Sequence, residues 1–168
     1  MVMTDQELLK YSEEHVDYEF WMLNQTGKLL STDPTIHVNP VVKNALIESF
    51  CVHARALAIF LYPEEAKELP GDVTSDQYVK AVAAWRAARG LIPPTLKEVI
   101  ARTGKEVAHL TTSRKPFGAS GKEWNPHLIV WMLIDPLKTF VAHVPAGRLY
   151  APFVQAVADA EAARATPP

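Results

Sequence analysis

The chain has almost no cysteine: Cys51 stands alone among 168 residues. A lone thiol excludes an internal disulfide framework and any zinc site built from several cysteines. Long apolar runs are also missing. The run Leu128–Ile134 is seven residues, against the roughly 20 that a bilayer-spanning helix needs. The opening Met1-Val2-Met3-Thr4-Asp5-Gln6-Glu7 has no basic stretch leading into an apolar one, so no secretory signal is expected. The expected location is the cytoplasm, with no membrane partner. Alternating apolar and polar residues never persist beyond four positions, which removes the strand signal. The six histidines (15, 37, 53, 109, 127 and 143) include no pair within four residues. No local metal motif exists, leaving only ligands converging from separate helices. Gly118-Ala119-Ser120-Gly121-Lys122 lacks the full phosphate-loop spacing, and neither nucleophile-elbow nor dinucleotide glycine motifs occur. No cofactor is expected.

What the chain does have is punctuation. Its 13 prolines bound long proline-free blocks at 1–33, 41–62, 71–92 and 95–115, and six of its seven glycines sit near block ends. Gly104 is the exception. With 48% apolar and 21% charged residues, this pattern predicts a globular domain made of helix-length pieces. The expected fold is all-α: a single-domain helical bundle of six or seven helices over residues 1–164, with a disordered tail at 165–168.

Thr4 and Glu7 have capping-box spacing, and Leu8, Tyr11, His15, Tyr18 and Met22 then mark the buried stripe of a first helix ending near Gly27. Residues 31–40 read as a connection. The second helix, about 41–62, carries apolar groups on every side, as a buried central helix does, and Pro63 stops it. A third opens at Asp72 and ends at Gly90. A fourth starts at Pro93-Pro94, with Thr95 and Glu98 at capping-box spacing and Leu96, Val99, Ile100, Thr103, Val107 and Leu110 inward. Residues 114–122 read as a loop. Asn125-Pro126 and Asp135-Pro136 each have N-cap chemistry, so 126–144 is two short helices or one kinked one. Pro152 begins the last.

Charge is uneven along the chain. Residues 1–85 carry 6 basic and 13 acidic groups, residues 86–122 carry 8 and 2, and residues 123–168 carry 3 and 4. The basic block is either an anion or nucleic-acid footprint or the complement of the acidic half, in this fold or in a partner subunit.

Two constellations follow from helical geometry. Asn44, Glu48, Arg55 and Tyr62 fall within ~40° of one another at about 100° per residue, a polar seam on the second helix. Buried charges need partners, so the seam is either an interhelical network that fixes register or the floor of a polar pocket. His53 projects to the other side and is expected to be a satisfied core histidine. On the fourth helix Arg102 and His109 lie within ~20° of each other, on a face roughly 120° from the inward stripe. A histidine near neutrality can move a proton and an arginine can hold a phosphate, the minimum for metal-free RNA cleavage. Exposed helices often carry such a pair without function. Cys51, on the buried helix, is expected to be an inert thiol of raised pKa. The tryptophans at 21, 85, 124 and 131 read as core or interface, and Trp124 is also placed to stack on a base.

Arg102-Thr103-Gly104-Lys105-Glu106-Val107-Ala108-His109 resembles the Arg-x(4–6)-His motif of HEPN domains. Asn44 to Arg55, Asp72 to Asp76 and Ala108 to Arg114 are similar to a group of bacterial HEPN-like helical proteins, over roughly residues 40–135. The resemblance implies an all-α bundle that binds RNA, and a metal-independent endoribonuclease of toxin or defence type acting as a homodimer. His109 would then be the acid/base, Arg102 the phosphate clamp, and Arg114, Lys115 and Lys122 electrostatic support, with Trp124 beside them. A non-catalytic helical module that binds a protein partner is the competing reading. Gly104, between Arg102 and His109, marks either a close approach of backbone or ligand or a weak point in an inert helix.

Overall fold

A computed structural model describes residues 3–67, 69–108 and 124–165, whose regular elements are all helical, with no strand among them. Helix α1 (Asp5–Tyr11) opens with the expected capping box: Glu7 N–H donates to Thr4 Oγ1 at 3.3 Å, and Thr4 N–H donates to Glu7 Oε2 at 2.7 Å. It passes through a π turn, Ser12–Val16, into α2 (Asp17–Thr32) as one continuous rod. The buried positions are Leu8, Ser12, Val16, Phe20, Leu23, Thr26, Gly27 and Leu30. Of the predicted stripe, Leu8 is buried and Tyr11 packs partly against the core, whereas His15 and Tyr18 are exposed and Met22 is half-buried. The wider π turn takes more residues per turn, so the four-residue spacing from Leu8 to Phe20 stays in line.

Gly27 does not end this helix. An added Cβ there would lie 3.2 Å from Phe50 Cε2 and 3.5 Å from Val130 Cγ2, so the glycine lets α2 approach two neighbours closely. A 3-10 turn, Pro34–Val38, leads to α3 (Pro40–Leu61), N-capped by Asn39 Oδ1 accepting from Val41 and Val42 N–H. By length and composition α3 could cross a membrane, but it packs against α2, α5 and α6 as the central rod of the bundle.

The expected third helix is mostly absent. The Asp72 carboxylate turns back to accept Leu69 N–H at 2.7 Å instead of capping forward. After the 3-10 turn Ser75–Gln77 the chain drives Tyr78 into the core, its hydroxyl donating to Leu8 O at 3.2 Å. Only then does α4 (Val82–Arg89) begin, and Gly90 stops it at φ +74°, a left-handed value that suits glycine. Helix α5 (Pro94–Arg102) has Pro93 as N-cap and no side-chain cap, so the Thr95/Glu98 box does not form. Helix α6 (Pro126–His143) is capped by Asn125 and runs through Pro136 as one helix. Arg164 of α7 (Ala151–Ala165) reaches Asp135 at 2.5 Å and its hydrogen bond holds that carboxyl below its ordinary range. With α1 and α2 joined, the seven helices among the described residues make six rods, an all-α bundle.

The core centres on Phe140, whose ring meets Phe60, Tyr78 and Trp85 edge-on at 5.2, 5.6 and 5.6 Å. These are favoured edge-to-face contacts, each worth about 1 kcal/mol beyond burial.

Candidate functional site

Helix α5 continues into a second π turn, Thr103–Ala108. Thr103 is buried, and its hydroxyl donates to Cys51 O at 3.4 Å, pinning the turn to α3. Arg102, at the junction, is already engaged. Its Nε donates to both Glu106 oxygens at 3.1 and 3.2 Å, its Nη2 to Glu106 Oε2 at 3.1 Å, and Glu98 lies 3.8 Å from Nη1. The guanidinium stacks over the Trp124 ring, 4.1 Å from its centroid. Two of the residues singled out from the sequence, Arg102 and Trp124, are thus brought together. His109, Arg114, Lys115 and Lys122 lie outside the described residues. At Gly104 an added Cβ would meet no described atom within 4 Å, so the close-approach expectation finds no described neighbour. Cys51 is fully buried; desolvation pushes its thiol up to about 12, with the Arg102 charge pulling weakly the other way.

Three described residues of the basic block pair with the acidic half of the same chain. Arg86 pairs with Asp76, Arg89 with Glu64 at 2.6 Å, and Lys97 with Glu65 at 2.8 Å. Arg89 does more than neutralise charge. Its side chain is 3% exposed, its Nη1 donates to Leu61 O at the C-terminus of α3, and its guanidinium lies 4.3 Å from the centre of the Tyr62 ring. An arginine fork suits a helix C-terminus, where carbonyls lack partners. Burial raises the Tyr62 hydroxyl pKa, and the Arg89 charge opposes that rise.

The polar seam on α3 is not buried. Asn44, Glu48 and Arg55 are exposed, and only Tyr62 is in the core. The inward face of α3 is Phe50, Cys51, Ala54, Leu57, Ala58 and Leu61, so the polar residues face solvent and need no interhelical network. The all-round apolar pattern also misleads about burial, because Val41, Val42 and Val52 are exposed. The expectation for His53 holds: it is buried, with Nδ1 2.7 Å from Glu19 Oε2 of α2.

Sequence reasoning did not single out the groove between α2 and α6. It encloses about 240 Å³ and is lined by Asn24, Gly27, Lys28, Val130, His127 and Trp131 among others. The His127 and Trp131 rings lie 4.0 Å apart on its rim. Trp21 shares the Asn24/Lys28 side of α2, at i, i+3 and i+7 spacing. Trp21 is 53% exposed and Trp131 40%.

Comparison with family models, with curated proteins and with solved structures finds no match for this chain. What stands on its own geometry is the class: an all-α helical bundle.

Proposed function

We propose that this chain is a non-catalytic helical interaction module that works as a homodimer, docking through the α2/α6 groove. The observation that carries the reading is an open groove with the half-exposed Trp131 in its lining and a second exposed indole, Trp21, on the same helix α2, while Arg86, Arg89, Lys97 and Arg102 are taken up by carboxylates of their own chain. A tryptophan buries 150–250 Å² when covered, and such rings are typical interface anchors. A groove edged by projecting rings is self-complementary: a two-fold axis lets each copy place its ring in the other's groove. The experiment is the mass in solution. Wild type is expected as a dimer and the Trp21→Ser/Trp131→Ser double variant as a folded monomer.

A second reading is favoured by the Arg102–Trp124 stack: a HEPN-like RNA-binding domain acting as a metal-independent endoribonuclease. In it Arg102 would leave Glu106 to clamp a phosphate, Trp124 would stack on a base, His109 would move the proton, and Arg114, Lys115 and Lys122 would attract the backbone. Incubation with RNA in chelator separates the two. The module leaves RNA intact in wild type and in His109→Ala alike. Cleavage by wild type that His109→Ala abolishes would establish the nuclease.

A further inference from the structure

A larger cavity, about 440 Å³, lies away from both places. One wall is the end of α1, the π turn and the start of α2, with Tyr11, His15 and Glu19; another is the last two turns of α3, with Arg55, Leu57 and Phe60. The segment after α3 closes it with Pro63, Lys67 and Asp72. The volume is in the range of small-molecule sites, which are concave, largely apolar, and carry a few polar groups that fix orientation.

The polar groups here are of both signs, and they do not satisfy one another. Arg55 and Lys67 form no ion pair among the described residues, although Glu19 and Asp72 line the same space. The Glu19 carboxylate is oriented by His53, and the Asp72 carboxylate by Leu69 N–H. Tyr11 stands near both carboxylates: burial chiefly, and then the charges of Glu19 and Asp72, raise its hydroxyl pKa. Besides His15, the cavity therefore holds two cations, Arg55 and Lys67, and two carboxylates, Glu19 and Asp72, with no ion pair between them, around Leu57, Phe60 and Pro63. A simple anion would gain from one pair and be repelled by the other, as would a simple cation. A ligand carrying both charges on an apolar body satisfies all four.

We propose that this cavity binds a small zwitterion of the α-amino-acid class with an apolar side chain, its carboxylate held by Arg55 and Lys67 and its ammonium by Glu19 and Asp72. The site makes no use of the α2/α6 groove, so it stands apart from dimer formation.

Calorimetric titration of the full chain with leucine, phenylalanine, their N-acetyl forms and their C-terminal amides tests this. The free amino acids are expected to bind, and each blocked form, lacking one charge, to bind at least about tenfold more weakly. Arg55→Met removes one anchor on an exposed position. Asp72→Asn keeps the acceptor for Leu69 N–H but removes the charge. Each is expected to weaken binding by about tenfold or more with the fold intact by circular dichroism. No heat from either amino acid up to about 10 mM overturns the proposal, as does equal binding of the blocked forms or of both variants.

Discussion

The Arg102 guanidinium and the Glu106 carboxylate meet through two nitrogens at 3.1–3.2 Å, with both side chains mostly covered. This pair bears directly on how the molecule works, because a clamped arginine presents little free positive charge to a phosphate. Glu106→Gln is expected to cost about 1 kcal/mol, read as a lower midpoint in urea at unchanged slope. The loss is expected to shrink as salt is raised.

Arg89 gives a larger effect. Removing it leaves the carbonyl of Leu61 without its donor and exposes the Tyr62 face in a covered site. Arg89→Ala is expected to destabilise the fold by about 3 kcal/mol. Arg89→Lys is expected to recover only part of this, since an ammonium cannot span the Leu61 carbonyl, Glu64 and the Tyr62 ring together. Equal stability of Arg89→Lys and wild type would contradict the role assigned to the fork.

Two glycines are expected to respond in opposite directions. Alanine is the better helix former by roughly 1 kcal/mol, so Gly104→Ala, with no described atom near its Cβ, is expected to stabilise by about 0.5 kcal/mol. At Gly27 the new methyl meets Phe50 at 3.2 Å. Phe50 is fully buried and has little room to yield, so Gly27→Ala is expected to destabilise by about 1 kcal/mol. Paired thermal melts of the two variants check this.

Cys51 links burial to pH. Its thiol pKa is raised from 9.0 to about 12, so folding favours the neutral form. That contribution is fully present below the unfolded value near 9 and is lost as pH rises toward about 12. Urea unfolding between about pH 8 and pH 10.5 is expected to show falling stability, with a shallower fall in Cys51→Ala. Thiol reagents at pH 8 are expected to label Cys51 only as fast as the protein opens. Labelling at the rate of a free thiol would contradict its burial.

The starts of α1 and α6 were legible because their chemistry is local. Thr4 with Glu7 and Asn125 with Pro126 each satisfy orphan amides within three residues. What was not legible depends on groups far apart in the chain. Ser12 donates to Leu9 O in the first π turn and accepts Tyr150 N–H at 2.8 Å from 138 residues away, and no local pattern announces that. Gly27 reads as a stop until Phe50 is placed beside it. Asp72 reads as a helix cap until it is seen capping backward. The seam of Asn44, Glu48 and Arg55 was real as a helical face, but periodicity does not say which way a face points when apolar residues occupy every side. Of the candidate site, the sequence singled out Arg102 and Trp124 and the structure joins them, whereas Trp21 and Trp131 read only as core or interface until their exposure was seen.

The most direct test of the account is sedimentation velocity on wild type and on Trp21→Ser/Trp131→Ser across about 1 to 100 μM. The account expects wild type to shift from monomer toward dimer as concentration rises, and the double variant to remain monomeric with an unchanged circular dichroism spectrum. A wild type that stays monomeric throughout, or a double variant that dimerises equally well, would contradict it.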